Sequence, residues 1–305
     1  MGSERDSTPT APEASAAPGA GPELVRINGR AAREVSALER GLHYGDGLFE
    51  TIACLGGQPR LLELHLKRLH SGCGRLGLPL TDEAVLAREV QELAAGCSRA
   101  IVKVLLTRGV ALNRGYAPTG RELPTRVTLR YAWPEDDPAA ARDGVRVRLA
   151  LQRLGENPAL AGLKHCNRLE QILARREWSD PAIAESLMFS SSGALISGTM
   201  SNVFLVCDSL LLTPCVDRCG VAGVMRAAVL ATARAAGISA EERVLGHEDL
   251  VRGSEVFLTS ALTGIRPVRE VEGTRRVPGP VTRHLQTQLA ASLREDAAAS
   301  RGERG

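Results

Sequence analysis

The stretch "PEDDPAAARDG", from Pro134 to Gly144, does most to limit what this chain can fold into. Two prolines, a run of charge and a closing glycine make it a linker rather than part of a strand or a long helix. It separates a small α+β unit at 23–133 from a larger α+β unit at 145–294. With 305 residues and 44% apolar content, the chain has material for a core in each unit. Residues 1–22 are rich in Ala, Pro, Ser and Gly and read as a disordered tail. Residues 295–305 read as a frayed end.

In the first unit, Val25-Arg26-Ile27 followed by Asn28-Gly29 predicts a strand entering a tight hairpin. "GLFETIACLGGQPRLL" predicts a second hairpin, turning between Gly56 and Pro59. In "LELHLKRLHSGCGRLGL", Leu62, Leu66, Leu69 and Cys73 share one helical face. "TDEAVLAREVQELAAG" predicts a helix capped by Thr81 and closed near Gly96. "AIVKVLLTRG" and "RVTLRYAW" read as strands. In the second unit "VRVRLALQRL" reads as a strand, and Ser186 to Pro214 predicts an antiparallel meander turning at Ser191-Ser192-Gly193 and Cys207-Asp208-Ser209. "GVAGVMRAAVLATARAAG" predicts a helix with a glycine-rich entry, and "SEVFLTSALTGIRPV" a strand followed by a loop.

Several function classes are disfavoured. A net charge of +3 and 3% aromatic residues argue against a nucleic-acid binder. The seven cysteines, Cys54, Cys73, Cys97, Cys166, Cys207, Cys215 and Cys219, contain no CxxC pair. They read as reduced thiols in a cytoplasmic setting, with neither a disulfide frame nor a metal site. No apolar run is long enough to span a bilayer, and the N-terminus lacks the apolar region of a secretory signal. Gly72 to Gly77, "GCGRLG", matches the dinucleotide pattern GxGxxG but follows a helical run, so it reads as a helix end and turn.

The decapeptide "GLKHCNRLEQ", Gly162 to Gln171, sets Lys164 at the edge of an apolar run with polar groups crowded behind it, at the start of a predicted helix. One reading is a solvated lysine. The other is a lysine in a partly desolvated pocket, its pKa lowered, able to act as nucleophile, Schiff-base former or proton carrier. "GVAGVMR", Gly220 to Arg226, opens a helix with little side-chain bulk, which makes an anion site as readily as a plain helix entry. "TSALTG", Thr259 to Gly264, is a second small-residue loop. Two such loops closing on one phosphate, plus a Schiff-base lysine, point to pyridoxal 5'-phosphate.

"GLHYGDGLFETI", "HLKRL", "GLKHCNRLEQ", "LISGTMSNVFLV", "GVAGVMR" and "TSALTGIRPV" stand in the order and spacing of the fold-type IV pyridoxal-phosphate enzymes. The resemblance covers roughly Leu24 to Leu293. It implies a two-domain α+β fold with the cofactor in the cleft, a homodimer and a small-molecule substrate. By resemblance, Lys164 is the Schiff-base lysine and Arg68 binds the cofactor phosphate. Val224 and Met225 supply backbone N–H groups to it, and Ser260 and Ala261 form the second phosphate loop. Asn202 matches the asparagine of the family's E-x-x-x-x-N segment. The glutamate of that segment pairs with the pyridine nitrogen in the family, and Ser197 stands in its place here. A serine supplies no counter-charge, so the resemblance implies a weakened electron sink.

Within the family, "NPALAGLKHCNRLEQ" and the "RGY" at Arg114 to Tyr116 are similar to the 4-amino-4-deoxychorismate lyases. That likeness implies conversion of 4-amino-4-deoxychorismate to 4-aminobenzoate and pyruvate, a step toward folate, with Arg114 and Tyr116 as substrate contacts. The alternative it leaves open is an aminotransferase of D- or branched-chain amino acids.

Overall fold

A computed structural model describes residues 21–79, 81–135 and 137–302, with side chains up to Glu295. Most of the expected N-terminal tail lies outside the described residues. The first hairpin forms as predicted: β1 (Leu24–Ile27) pairs antiparallel with β2 (Arg30–Ala31), and Asn28 and Gly29 take φ of 50° and 81°. A short helix α1 (Arg40–Tyr44) leads to β3 (Gly47–Leu55), which turns through Gly56-Gly57 into β4 (Gln58–Pro59). Helices α2 (Leu62–Leu76) and α3 (Glu83–Ala94) follow, then β5 (Arg99–Thr107) and β6 (Thr125–Ala132). The six strands make one antiparallel sheet in the order β2-β1-β6-β5-β3-β4. Leu48, Ile52 and Cys54 alternate onto the same core as Val102, Val104 and Leu106. Leu69 and Cys73 of α2, with Leu86, Val90 and Leu93 of α3, complete it.

Two local expectations shift. Asp82, not Thr81, caps α3, its carboxylate accepting from the Ala84 N–H at 2.8 Å. The deepest face of α2 is His65, Leu69, Gly72 and Cys73, while Leu62 and Leu66 are only partly buried. Gly72 is a close-approach residue, since a Cβ there would come within 2.7 Å of Leu48 Cδ1. Gly77 ends the helix at φ 59°. The "GCGRLG" match is therefore a helix end, as its position in the sequence implied.

The stretch expected to be a linker holds a one-turn helix α4 (Pro138–Arg142), with Asp137 accepting from the Ala140 N–H, proline at its start and Ala140 buried in the core of the second sheet. After it come β7 (Val145–Leu149), α5 (Leu169–Arg175), β8 (Ile183–Phe189), β9 (Leu195–Gly198), β10 (Asn202–Cys207) and β11 (Leu210–Pro214). Then come α6 (Val224–Ala235), β12 (Ala240–Arg243), α7 (His247–Arg252), β13 (Glu255–Ser260), β14 (Gly264–Val271), β15 (Thr274–Arg275) and α8 (Pro280–Gly302). The second sheet runs β12-β11-β10-β13-β14-β7-β8-β9, with β15 paired to β14.

This order corrects the meander. β8 pairs with β9 and β10 with β11, but β9 and β10 lie at separate places in the sheet, because β13 takes the position beside β10. The sheet curls until its ends meet: the Leu195 N–H donates to the Leu245 carbonyl at 2.7 Å. The loop expected after Thr259 is short, and "IRPV" is part of β14, hairpinned onto β13. The segment expected to fray at 295–305 is helical backbone as far as Gly302. One face of the sheet packs Leu187, Leu205, Leu212 and Val256. The other packs Phe204 and Phe257, stacked at 4.9 Å, against Val229 of α6 and Leu285 of α8. Among the described residues, no helix is long and apolar enough to cross a membrane.

Candidate functional site

Lys164 does not open a helix. α5 begins at Leu169, and the lysine lies in an extended stretch docked on β3. β4 covers only Cys54 and Leu55, so the start of β3 has backbone groups to spare. The segment takes them: Phe49 N–H donates to the Lys164 carbonyl and Cys166 N–H to the Gly47 carbonyl, both at 2.9 Å. Docking brings Lys164 Nζ to 4.4 Å from the centre of the Phe49 ring. Lys103 of β5 reaches the same ring at 5.3 Å. Burial, helped by the charge of Arg68 and opposed by Glu50, pushes the Lys164 amine down to about 8.

Arg68 extends from α2 between two partners. Its Nε donates to Glu50 Oε1 at 2.8 Å and its Nη2 to Glu50 Oε2, while Nη1 donates to the Ala222 carbonyl at 3.0 Å. Of the five N–H groups of a guanidinium these use three, so two remain for a ligand. Ala222 belongs to the entry of α6, which three other hydrogen bonds also hold. Gly162 and Gly220–Ala222 exchange backbone hydrogen bonds at 3.0 Å, and Asn202 Nδ2 donates to the Val221 carbonyl at 2.9 Å. Gly223 caps the helix with no side chain, and a Cβ there would meet Asn202 Oδ1 at 1.9 Å. Val224 and Met225, in the first turn, have no carbonyl earlier in the helix to bond. Asn202 lies opposite Thr259, so the turn at Ser260 and Ala261 follows directly from the strand pair that pins this entry. Ser260 Oγ lies 2.8 Å from Thr263 Oγ1, and Thr259 Oγ1 is buried without a partner among the described residues.

Ser197 is buried in β9, opposite Met188. Glu185, a buried carboxylate on the neighbouring strand β8, is already engaged. It accepts from Thr199 N–H at 3.0 Å, Met200 N–H at 3.1 Å and the Ser201 hydroxyl at 3.0 Å, and so fixes the turn from β9 to β10. A carboxylate with that set of donors is a structural anchor for Asn202, not a substitute for a glutamate at 197.

Arg114 and Tyr116 are exposed, on a loop that Arg40 holds through the Tyr116 carbonyl at 2.6 Å. The Tyr116 ring sits 5.3 Å from that of Tyr44, at the end of α1. Asn167, three residues after Lys164, donates to the Gly45 carbonyl at 3.2 Å, so α1 contacts the lysine segment as well as this loop. Sequence reasoning missed Glu50, His65 and Lys103. A charged residue amid the apolar alternation of β3 was the signal available for Glu50.

A group carrying an aldehyde and a phosphate fits these residues. A desolvated amine with a lowered pKa can take the aldehyde, and an arginine with spare donors stands beside an uncapped helix entry that only glycine can form. The chain matches the family described as amino-transferase class IV over residues 47–271. It is 32% identical over 267 residues to the aminodeoxychorismate lyase of Vibrio harveyi, covering 86% of this chain and 98% of that one. Its fold is similar to the crystal structure of 4-amino-4-deoxychorismate lyase from Pseudomonas aeruginosa. There the TM-score is 0.84 and the identity 45%, over 87% of this chain and 98% of the other. The Escherichia coli branched-chain amino acid aminotransferase superposes with a TM-score of 0.78 at 25% identity, over 88% and 93% of the two chains.

Proposed function

Because the chain belongs to the amino-transferase class IV family, a family of pyridoxal 5'-phosphate enzymes, we propose that it is a lyase converting 4-amino-4-deoxychorismate to 4-aminobenzoate and pyruvate. The observation that carries this reading is the pairing of a depressed Lys164 amine with a serine at 197. The cofactor, when bound, supplies an aldehyde for covalent attachment and a ring that withdraws electrons. Ser197 offers that ring a hydroxyl without a counter-charge, which leaves the withdrawal weak. Loss of pyruvate from this substrate creates an aromatic ring, so the reaction supplies driving force that transamination lacks.

Lys164 is the residue for both attachment and proton transfer. An amine titrating at about 8 is free base in roughly a tenth of molecules at pH 7, far more than an ordinary lysine. Released from the aldehyde, it takes the proton from the ring carbon that bears the substrate nitrogen. The carbon–oxygen bond to the enolpyruvyl group breaks, and the proton returns to the methylene carbon to complete pyruvate. Arg68, Val224 and Met225, with Ser260 and Ala261, hold the phosphate, and Asn202 fixes the helix entry. Lys103 adds a positive charge suited to a dicarboxylate substrate, and Arg114 and Tyr116 are the substrate contacts of this reading, supported by the contact of Tyr116 with Tyr44 of α1, whose end Asn167 of the lysine segment also meets.

The reading includes a homodimer in the cytoplasm. Exposed Leu38, Leu42, Leu112 and Leu123 support a covered face, and free cysteines fit a reducing compartment. The test is to supply purified protein with cofactor and 4-amino-4-deoxychorismate, and to measure 4-aminobenzoate and pyruvate. Equal amounts of both are expected. Keto acid from D- or branched-chain amino acids, without 4-aminobenzoate, would assign the chain to the aminotransferases instead.

A further inference from the structure

Glu50 is the most deeply buried carboxylate beside Lys164, with 2% of its side chain exposed, and the chemistry above makes no use of it. Both its oxygens are spent on α2. Oε1 accepts from Arg68 Nε at 2.8 Å, and Oε2 accepts from Arg68 Nη2 and lies 2.6 Å from His65 Nδ1. The fork-to-fork arrangement allows Arg68 one orientation, with its remaining donors on the side of the α6 entry where Nη1 meets Ala222. His65 sits one turn before Arg68 and is 1% exposed. Burial keeps its imidazole below the usual histidine range, so the neutral ring donates Nδ1–H to Glu50. Burial alone would raise Glu50, but the bonds from His65 and Arg68 outweigh it and hold the carboxyl below its ordinary value. A charge buried at such cost is kept where its partners need it.

We infer that Glu50, braced by His65, is a positioning residue that aims Arg68 at the phosphate of the cofactor. This rests on the cofactor reading above. It separates the phosphate's share of binding from the aldehyde's share, because the hydrogen bonds of Glu50 lead to the ligand only through Arg68, while its charge raises the Lys164 amine, so that removing that charge frees the amine and does not weaken attachment of the aldehyde.

The experiment titrates apo protein with pyridoxal 5'-phosphate and, separately, with pyridoxal, which has the aldehyde but no phosphate. Binding is followed by absorbance. Glu50→Gln keeps the shape but sets an amide N–H against a donor of Arg68 or His65. It should weaken pyridoxal 5'-phosphate about tenfold or more and bind pyridoxal at least as well as the unaltered protein does. His65→Gln, which removes one brace and leaves both Arg68 bonds, should give a smaller loss, about threefold, again confined to the phosphate ester. Equal losses for both ligands, or none, in a variant that unfolds cooperatively would overturn the inference, and if Glu50→Gln does not fold, His65→Gln decides on the same criterion. Failure of the unaltered protein to bind either ligand would instead overturn the cofactor reading, and this inference with it.

Discussion

Phe49 and Lys164 are joined twice, once through the backbone at 2.9 Å and once through the side chains, with the amine 4.4 Å from the ring centre. The first contact fixes where the lysine's chain runs. The second places its amine against an apolar face that favours a cation while the surrounding burial disfavours one. Burial wins, and the amine titrates at about 8.

Lys164→Met should abolish turnover, by at least about a thousandfold, since attachment and proton transfer both reside in the amine. It should also make the apo protein more stable. The folded-state pKa lies below the unfolded value of 10.5, so the unfolded chain holds more protons between pH 8 and 10.5. Stability of the unaltered protein therefore rises across that window, and below pH 8 the whole cost of burying the ammonium is felt. The variant escapes a cost on the order of 3 kcal/mol at pH 7 and loses its advantage near pH 10.5. Urea denaturation of both proteins at the two pH values measures the difference. A variant less stable than its parent at pH 7 would show that the amine is not desolvated.

Arg68→Ala should weaken cofactor binding by roughly 2 kcal/mol or more, about thirtyfold, because a phosphate dianion loses a charge-assisted partner. Equilibrium titration of the apo variant gives the dissociation constant, and an unchanged value would remove Arg68 from the phosphate site.

Ser197→Glu should shift the balance of activities toward transamination. A carboxylate at 197 would favour a protonated pyridine nitrogen, where the hydroxyl does not. The ratio of slow amino-acid transamination to lyase turnover, measured at equal cofactor saturation, is the readout. If the ratio stays put while cofactor still binds, Ser197 does not face that nitrogen.

Gly72→Ala tests the packing reading of "GCGRLG". The new methyl would meet Leu48 at 2.7 Å and lie 3.5 Å from Leu163, near the lysine segment. Repacking should cost about 1–3 kcal/mol, seen as a lower denaturation midpoint. A neutral substitution would mean that Leu48 swings aside freely.

The sequence carried the site's outline unevenly. Lys164, Arg68, Asn202 and the entry at Val224 could be singled out because each sits in a short motif whose order matched a family, and in the structure Arg68 and Asn202 both bond that entry. The conformation around Lys164 was not, because a helical pattern after Leu169 gives no hint that the preceding residues dock on a strand more than a hundred positions earlier. Glu50 and His65 escaped for the same reason. Fifteen residues separate them in sequence, and only the packing of α2 on β3 makes one neutral ring and one carboxylate into a pair. The small-residue run from Thr259 to Gly264 hid a hairpin, since serine, alanine and threonine suit a tight turn as well as a long loop.

The contact between Leu195 and Leu245 has a consequence for the protein's behaviour in a crowded solution. Unpaired strand borders are templates on which other chains can add, and long flat ones seed aggregation. Here the larger sheet closes its own borders toward each other, and the smaller one ends in β2 and β4, each of two residues. Among the described residues the borders left open are short, β12 of the larger sheet having four residues, so a catalyst built largely of strands keeps little surface through which it could polymerise.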